Sequence, residues 1–305
     1  MSNKIELKII TCQGTQPGPK LLITGGVHGD EFEPMAAIRR LAKRIDKDDL
    51  VGTVTLVPVV NEDAFFWCSR TAEDQLDLAR TCPGDPNGSI TERIAHELST
   101  LIRAADYYID LHTGGTTMSI YPLAGYMLDT DLKIRETQHN MARAFNLPLV
   151  WGTDPNLDGR SLSVARDANI PAIYVEYHGA AVCDPAGVDA MVEGCLNVMV
   201  RLKMLGRPEA DSHILYDVQE TRSDSGFFQR SHLSPCDGYF ETDQVIGNFI
   251  GQGEPIGAVV DPLGKTRIDI PAEATGLINC LRTFPSVRKN DCLGYIVETG
   301  KNPHE

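Results

Sequence analysis

The chain of 305 residues has no Cys-x-x-Cys pair among its eight cysteines. That absence removes the usual cysteine-based zinc sites and the thioredoxin-like redox motif. The cysteines (Cys12, Cys68, Cys82, Cys183, Cys195, Cys236, Cys280 and Cys292) are scattered, and a chain of this size builds its core without disulfide staples. The opening Met1-Ser2-Asn3-Lys4-Ile5-Glu6 lacks the apolar core of a signal peptide, so a reducing cytoplasmic setting is expected. Positive charge is also scarce. Lysine plus arginine total 28 against 42 for aspartate plus glutamate, a net charge of −14, which argues against a general nucleic-acid or anionic-membrane surface. No apolar run approaches the ~20 residues required to span a bilayer, and no internal repeat or low-complexity segment stands out. The expected partner is a small molecule.

What is present begins at Gly25-Gly26-Val27-His28-Gly29-Asp30-Glu31, directly after the apolar run Lys20 to Thr24. On the first turn of a helix His28 and Glu31 share a face, so imidazole and carboxylate can close on one ion. A second apolar run, Tyr107-Tyr108-Ile109-Asp110-Leu111-His112, ends in a histidine followed by Thr113-Gly114-Gly115. Two histidines and one glutamate make a familiar catalytic zinc set that leaves a position for water or substrate; cobalt, nickel and manganese suit the same donors. A third run, Ala172-Ile173-Tyr174-Val175-Glu176, delivers a carboxylate that an apolar core would not accept unpaired. Glu176 is therefore the candidate general base, and Asp110, on the face of His112, is placed to orient an imidazole or to make a buried structural bond. In an open α/β sheet, sites form beyond the carboxyl ends of the strands, and all three runs deliver their polar residue there.

Strand-like runs alternate with helical patterns over the first two thirds, predicting a mostly parallel sheet flanked by helices. Helices are expected from about 31 to 45, from a capping box at Ser89-Ile90-Thr91-Glu92 to Arg103, from 131 to 145, from 161 to 168 and from 188 to 205. Gly206-Arg207-Pro208-Glu209 breaks the pattern, and helical periodicity vanishes after it. The division is thus a catalytic domain over 1–210 and a small all-β domain over 211–305.

Between the two histidine motifs stand Asn61-Glu62-Asp63-Ala64, Arg70-Thr71, Asp77-Leu78-Ala79-Arg80 and Cys82-Pro83-Gly84. Together with the His28/Glu31, Asp110-Leu111-His112-Thr113 and Val175-Glu176 motifs, this order and spacing over roughly 20–200 resembles the succinylglutamate desuccinylase/aspartoacylase family, zinc-carboxypeptidase-like hydrolases. The resemblance implies a zinc-dependent amidohydrolase, with one Zn2+ per chain held by His28, Glu31 and His112, that cleaves a small N-acylated amino acid or amine. It implies Arg70 as the residue that polarises the scissile carbonyl and Arg80 as the clamp on a substrate carboxylate. Both roles suit a guanidinium. Arg160, just before Ser161, is similar to a further family anion contact. The family asparagine is replaced by Ala79, so one amide contact to the substrate is missing and a different substrate shape is expected.

Two alternatives remain open at this level. A zinc carboxypeptidase acting on a peptide end would use the same chemistry, and a ligand-binding or regulatory protein with an inherited pocket would keep the residues without turnover. The tail, with turn signals at Ser234-Pro235, Gly251-Gln252-Gly253 and Lys289-Asn290-Asp291, resembles the small β-barrel of biotinyl and lipoyl carriers. Its Gly264-Lys265-Thr266 turn lacks the flanking methionines of an attachment site, so shaping the pocket rim or a contact in a homo-oligomer is the expected role.

Overall fold

The computed structural model describes residues 5–300. In chain order it contains β1 (Ile10–Gln13), β2 (Gln16–Thr24), α1 (Phe32–Arg44), β3 (Val51–Val57), α2 (Glu62–Phe66), α3 (Ile90–Arg103), β4 (Tyr107–His112), β5 (Met118–Met127), α4 (Leu132–Phe145), β6 (Leu149–Thr153), α5 (Ser161–Asp167), β7 (Ala172–Gly179) and α6 (Pro185–Arg201). Eight strands follow: β8 (Tyr216–Gln219), β9 (Gly238–Glu241), β10 (Phe249–Ile250), β11 (Pro255–Val260), β12 (Arg267–Pro271), β13 (Gly276–Arg282), β14 (Ser286–Val287) and β15 (Gly294–Val297).

The central sheet runs β1-β3-β2-β4-β7-β5, with β2 parallel to both β3 and β4, and β4 parallel to β7. The direction reverses at β5, which is antiparallel to β7. Beyond β5 the sheet forks: residues 118–120 pair with β13, while residues 123–127 pair with β6, which in turn pairs with β8. The fork falls at Pro122, inside a register shift between Ile120 and Leu123, where a residue without an N–H can be tolerated. That proline and the reversed direction made β5 hard to read from sequence.

Alternation along the strands sends side chains to two cores. Leu21, Ile23, Ile109, Leu111, Ile173 and Val175 pack under α1, α4 and α6, whereas Leu22, Tyr108 and Ala172 pack with α3 and α5. By the same period of two, Asp110 and His112 on β4 and Tyr174 and Glu176 on β7 belong to the α3/α5 face, at the end where the strands emerge. The helices lie close to their expected bounds because their caps are explicit. Ser89 and Glu92 form the capping box of α3, Asp131 caps α4, and Asp184 followed by Pro185 starts α6 earlier than periodicity alone predicted.

Beyond residue 210 the described chain has no α-helix, as the lost periodicity predicts. Where a small barrel-like unit was expected, the strands form two antiparallel layers. One is the open sheet β12-β11-β9-β14; the other is formed by β10, β13 and β15, and is carried on the central sheet through β13. Phe240, Ile256 and Val259 of the first layer pack against Ile278, Leu281 and Ile296 of the second. Closure does not follow from these pairings because β13 spends an edge on β5 instead of on its own layer's partner sheet.

Candidate active site

The β2–α1 turn is set by close backbone approach. Gly25 N donates to Val57 O, Val60 N to Gly25 O, and Asn61 N to Gly26 O. Gly26 sits at φ +63°, and a Cβ on Gly29 would lie 2.1 Å from the Ala64 carbonyl carbon, so only glycine lets the turn nest on the start of α2. This presents His28 and Glu31 side by side. His28 Nδ1 lies 2.6 Å from Glu31 Oε1, and His112 Nδ1 lies 3.0 Å from Glu31 Oε2.

The other nitrogen of each ring meets a carboxylate. His28 Nε2 is 3.0 Å from Asp77 Oδ1, and His112 Nε2 is 3.1 Å from Asp110 Oδ2. Asp110 is held in turn by Thr24 Oγ1, which donates at 2.8 Å, and by Ser161 Oγ. Two imidazoles that share one nitrogen type toward a common carboxylate, each braced from behind by an aspartate, have the arrangement of metal-binding histidines. The donor atoms of His28, Glu31 and His112 all lie within 4.8 Å of one another, and all three residues are buried. This buried N,N,O set, converging on one point, fits a single divalent ion. Burial by itself would push Glu31 up, but the two histidines hold it well below the usual carboxylate range. Asp77 is likewise held low against its burial by His28 and Arg70.

Glu176 is the register partner of His112 on the adjacent strand and lines the same pocket. Its Oε2 is buried and has no hydrogen-bond partner. Burial, opposed by His112 and reinforced by the negative charge of Glu31, pushes its carboxyl up to about 8. A half-buried carboxylate poised near neutrality suits a general base.

Arg70, Arg80 and Arg160 all line the pocket. Arg70 donates from Nε and one terminal nitrogen to Asp77 Oδ2 at 3.3 and 3.1 Å and stands 3.7 Å from Glu31, beside the candidate metal donors. Arg80 donates to Ala79 O at 2.7 Å and to Gln229 Oε1 at 3.0 Å, and Arg160 donates to Gly226 O at 3.2 Å. Burial and the neighbouring charge of Arg160 bring Arg80 down to about 10. The lining also includes apolar side chains, those of Met118, Ile120, Leu162, Phe228 and Cys280.

The seven residues read from the sequence as metal donors, base and anion contacts (His28, Glu31, His112, Glu176, Arg70, Arg80 and Arg160) therefore line one pocket, as does Asp110. A match to the succinylglutamate desuccinylase/aspartoacylase catalytic domain spans residues 17–202. The chain belongs to this family. Its members are zinc-dependent hydrolases that cleave the amide bond of small N-acylated amino acids or amines, and the activity supported for this chain is that of a zinc-dependent amidohydrolase. The N-alpha-acetyl-L-2,4-diaminobutyric acid deacetylase of Halomonas elongata is 30% identical over 292 residues, covering 92% of this chain and 82% of that protein. Among solved structures, a succinylglutamate desuccinylase/aspartoacylase from Rhodobacter sphaeroides superposes with a TM-score of 0.87 at 24% identity, over 98% of this chain and 90% of that one. The product-bound ectoine utilization protein EutE (DoeB) of Ruegeria pomeroyi gives 0.85 at 25% identity, over 94% and 87%.

Against this family background, the roles of several residues at the site could not be read from the sequence. Asp77 was visible only as part of a motif, and its bond to His28 spans 49 positions. The segment 224–230, with Gly226, Phe228 and Gln229 at the pocket, lies beyond the family match at residues 17–202 and carries no recognisable pattern. His178, which alternates onto the face of Glu176, instead takes φ +43° and lies 3.6 Å from Asp184, outside the pocket lining.

Proposed function

We propose that the protein is a zinc-dependent deacylase that releases a small uncharged acyl group, of the acetyl type, from the amine of an amino acid. The observation that carries this reading is the placement of Glu176, with its buried unpartnered oxygen, in one pocket with the His28, Glu31 and His112 donors and the three arginines. His28, Glu31 and His112 would hold one zinc per chain. When bound, the ion supplies a Lewis acid for the scissile carbonyl and lowers the pKa of its water toward ~7.

The chain's own residues supply the rest. Glu176 accepts a proton from the attacking water and returns it to the leaving amine. Arg70, fixed by Asp77, directs its guanidinium toward the oxygen on which negative charge grows. Arg80 and Arg160 bind the carboxylate of the amino acid. The acyl group then faces Met118, Ile120 and Cys280, which offer no cation to a second carboxylate. Ala79 lines the pocket without the amide of the family asparagine, and this too favours a short acyl group over succinyl. The H. elongata relative bears the name of such a deacetylase.

The same reading treats residues 211–305 as a second unit, distantly like a biotinyl or lipoyl fold, that completes the pocket rim. It also places the enzyme in the cytoplasm. None of the described helices is long and apolar enough to cross a membrane.

A direct test is a panel of Nα-acetyl-L-2,4-diaminobutyrate, N-succinyl-glutamate and a C-terminal dipeptide, assayed with zinc-loaded protein. Faster release of acetate than of succinate, with the dipeptide inert, supports the reading. Preference for succinate, or cleavage of the peptide, contradicts it.

A further inference from the structure

Arg80 and Arg160 bring two like charges to one wall of the pocket, which requires something to hold them there. Behind them stands a single aromatic ring. The guanidinium carbons of Arg80, Arg160 and Arg230 lie 4.7, 5.5 and 4.5 Å from the centroid of Phe227. A ring has two faces, so at least one face serves two of the three cations. Gly226, Phe228 and Gln229 line the pocket, whereas the Phe227 ring does not, so it meets the guanidiniums and leaves the ligand space free.

The segment that carries the ring is anchored at its start and closed on itself at its end. Asp224 N donates to Asp154 Oδ2 at 2.9 Å, and Ser225 Oγ accepts from Asp154 N at 2.8 Å. Arg230 is paired through two 2.9 Å bonds with Asp224 and is largely exposed, at 61% of its side chain. It closes the segment from outside, while Arg80 and Arg160 face inward and bond Gln229 and Gly226 of the same segment.

We propose that Phe227 is the positioning residue for substrate recognition: its π faces hold Arg80 and Arg160 together as a two-guanidinium cradle for the carboxylate of the N-acyl amino acid. This inference rests on the deacylase reading above and assigns residues 224–230 of the C-terminal segment a part in specificity. The negative face of the ring offsets repulsion between the two cations and fixes their planes. A carboxylate that enters then finds donors already aimed, at little cost in side-chain ordering.

The test replaces Phe227 with leucine, with tyrosine, and with a series of mono-, di- and trifluorinated phenylalanines, which keep the ring's shape while draining charge from its faces. Titration calorimetry with Nα-acetyl-L-2,4-diaminobutyrate and with its carboxamide, on the zinc-loaded Glu176→Gln protein, reads binding without turnover. The expected result is a loss of carboxylate affinity of about 10-fold in Phe227→Leu, recovery in Phe227→Tyr, and a graded loss along the fluorinated series. Carboxamide affinity should stay flat throughout, and with Glu176 intact the loss should fall on KM and leave kcat unchanged. A fluorinated series with no trend, or equal losses for carboxylate and carboxamide, would reduce Phe227 to packing and overturn the proposal while leaving the deacylase reading in place. Failure of the Phe227-intact protein to bind the carboxylate at all would overturn both.

Discussion

Replacing Glu176 with glutamine keeps the shape of a half-buried side chain and removes its ionisation. Burial, opposed by His112 and reinforced by Glu31, holds the carboxyl at about 8 against an ordinary 4.5. In the unfolded chain the same group ionises near 4.5. Between the two values the unfolded state sheds a proton that the folded state keeps, so the metal-free protein loses stability as pH rises through that window. At about 1.4 kcal/mol for each tenfold in proton affinity the effect has a ceiling of about 5 kcal/mol, and the opening of the pocket to solvent brings the expected size to about half of that. The assay is urea unfolding of chelated wild-type and Glu176→Gln proteins at about pH 5 and about pH 8.5. The variant should gain about 2 to 3 kcal/mol on the wild type between the two conditions. Parallel pH curves would show that Glu176 does not retain its proton in the fold. With zinc restored, the variant should keep the metal while turnover falls by roughly 10² to 10⁴.

The other predictions concern the remaining parts of the site. Arg70→Ala should chiefly lower kcat, by about 10² or more, because charge on the carbonyl oxygen is greatest in the transition state; an unchanged kcat in steady-state kinetics would remove that role. Arg80→Ala should chiefly raise KM, with a smaller loss for substrates lacking a carboxylate, and equal losses on both kinds would refute the clamp. Asp77→Asn and Asp110→Asn each remove a carboxylate behind an imidazole and should weaken zinc binding by about 10- to 100-fold in competition with a chelator; wild-type affinity in both would show that these carboxylates do not orient the ligands.

Much of the site was legible because it lies where strand ends and motif spacing coincide. His28 and Glu31 are three residues apart on one turn, His112 closes β4, and Glu176 follows a buried run on the neighbouring strand. Each is a polar residue where an apolar run stops. Helix bounds were readable where caps were explicit, as at Ser89 and Asp131. What could not be read depends on pairing at long range. β5 hides its direction and its fork behind Pro122, and the bond between Asp77 and His28 has no local signature. The tail's turn chemistry announced strands but not their partners, so the addition of β13 to the central sheet was not foreseen. Phe227 illustrates the same limit, since nothing in its neighbourhood in sequence announces Arg80 and Arg160 from distant segments.

The most direct test of the account is zinc-dependent turnover measured against metal content. Protein stripped by a chelator should be inactive on Nα-acetyl-L-2,4-diaminobutyrate, and acetate release should return in proportion to added zinc and saturate at about one ion per chain. Folded His28→Ala and His112→Ala variants should neither retain the ion nor recover. Full activity in stripped protein, or metal retention at wild-type level in both variants, would contradict the central claim that these residues build a zinc amidohydrolase.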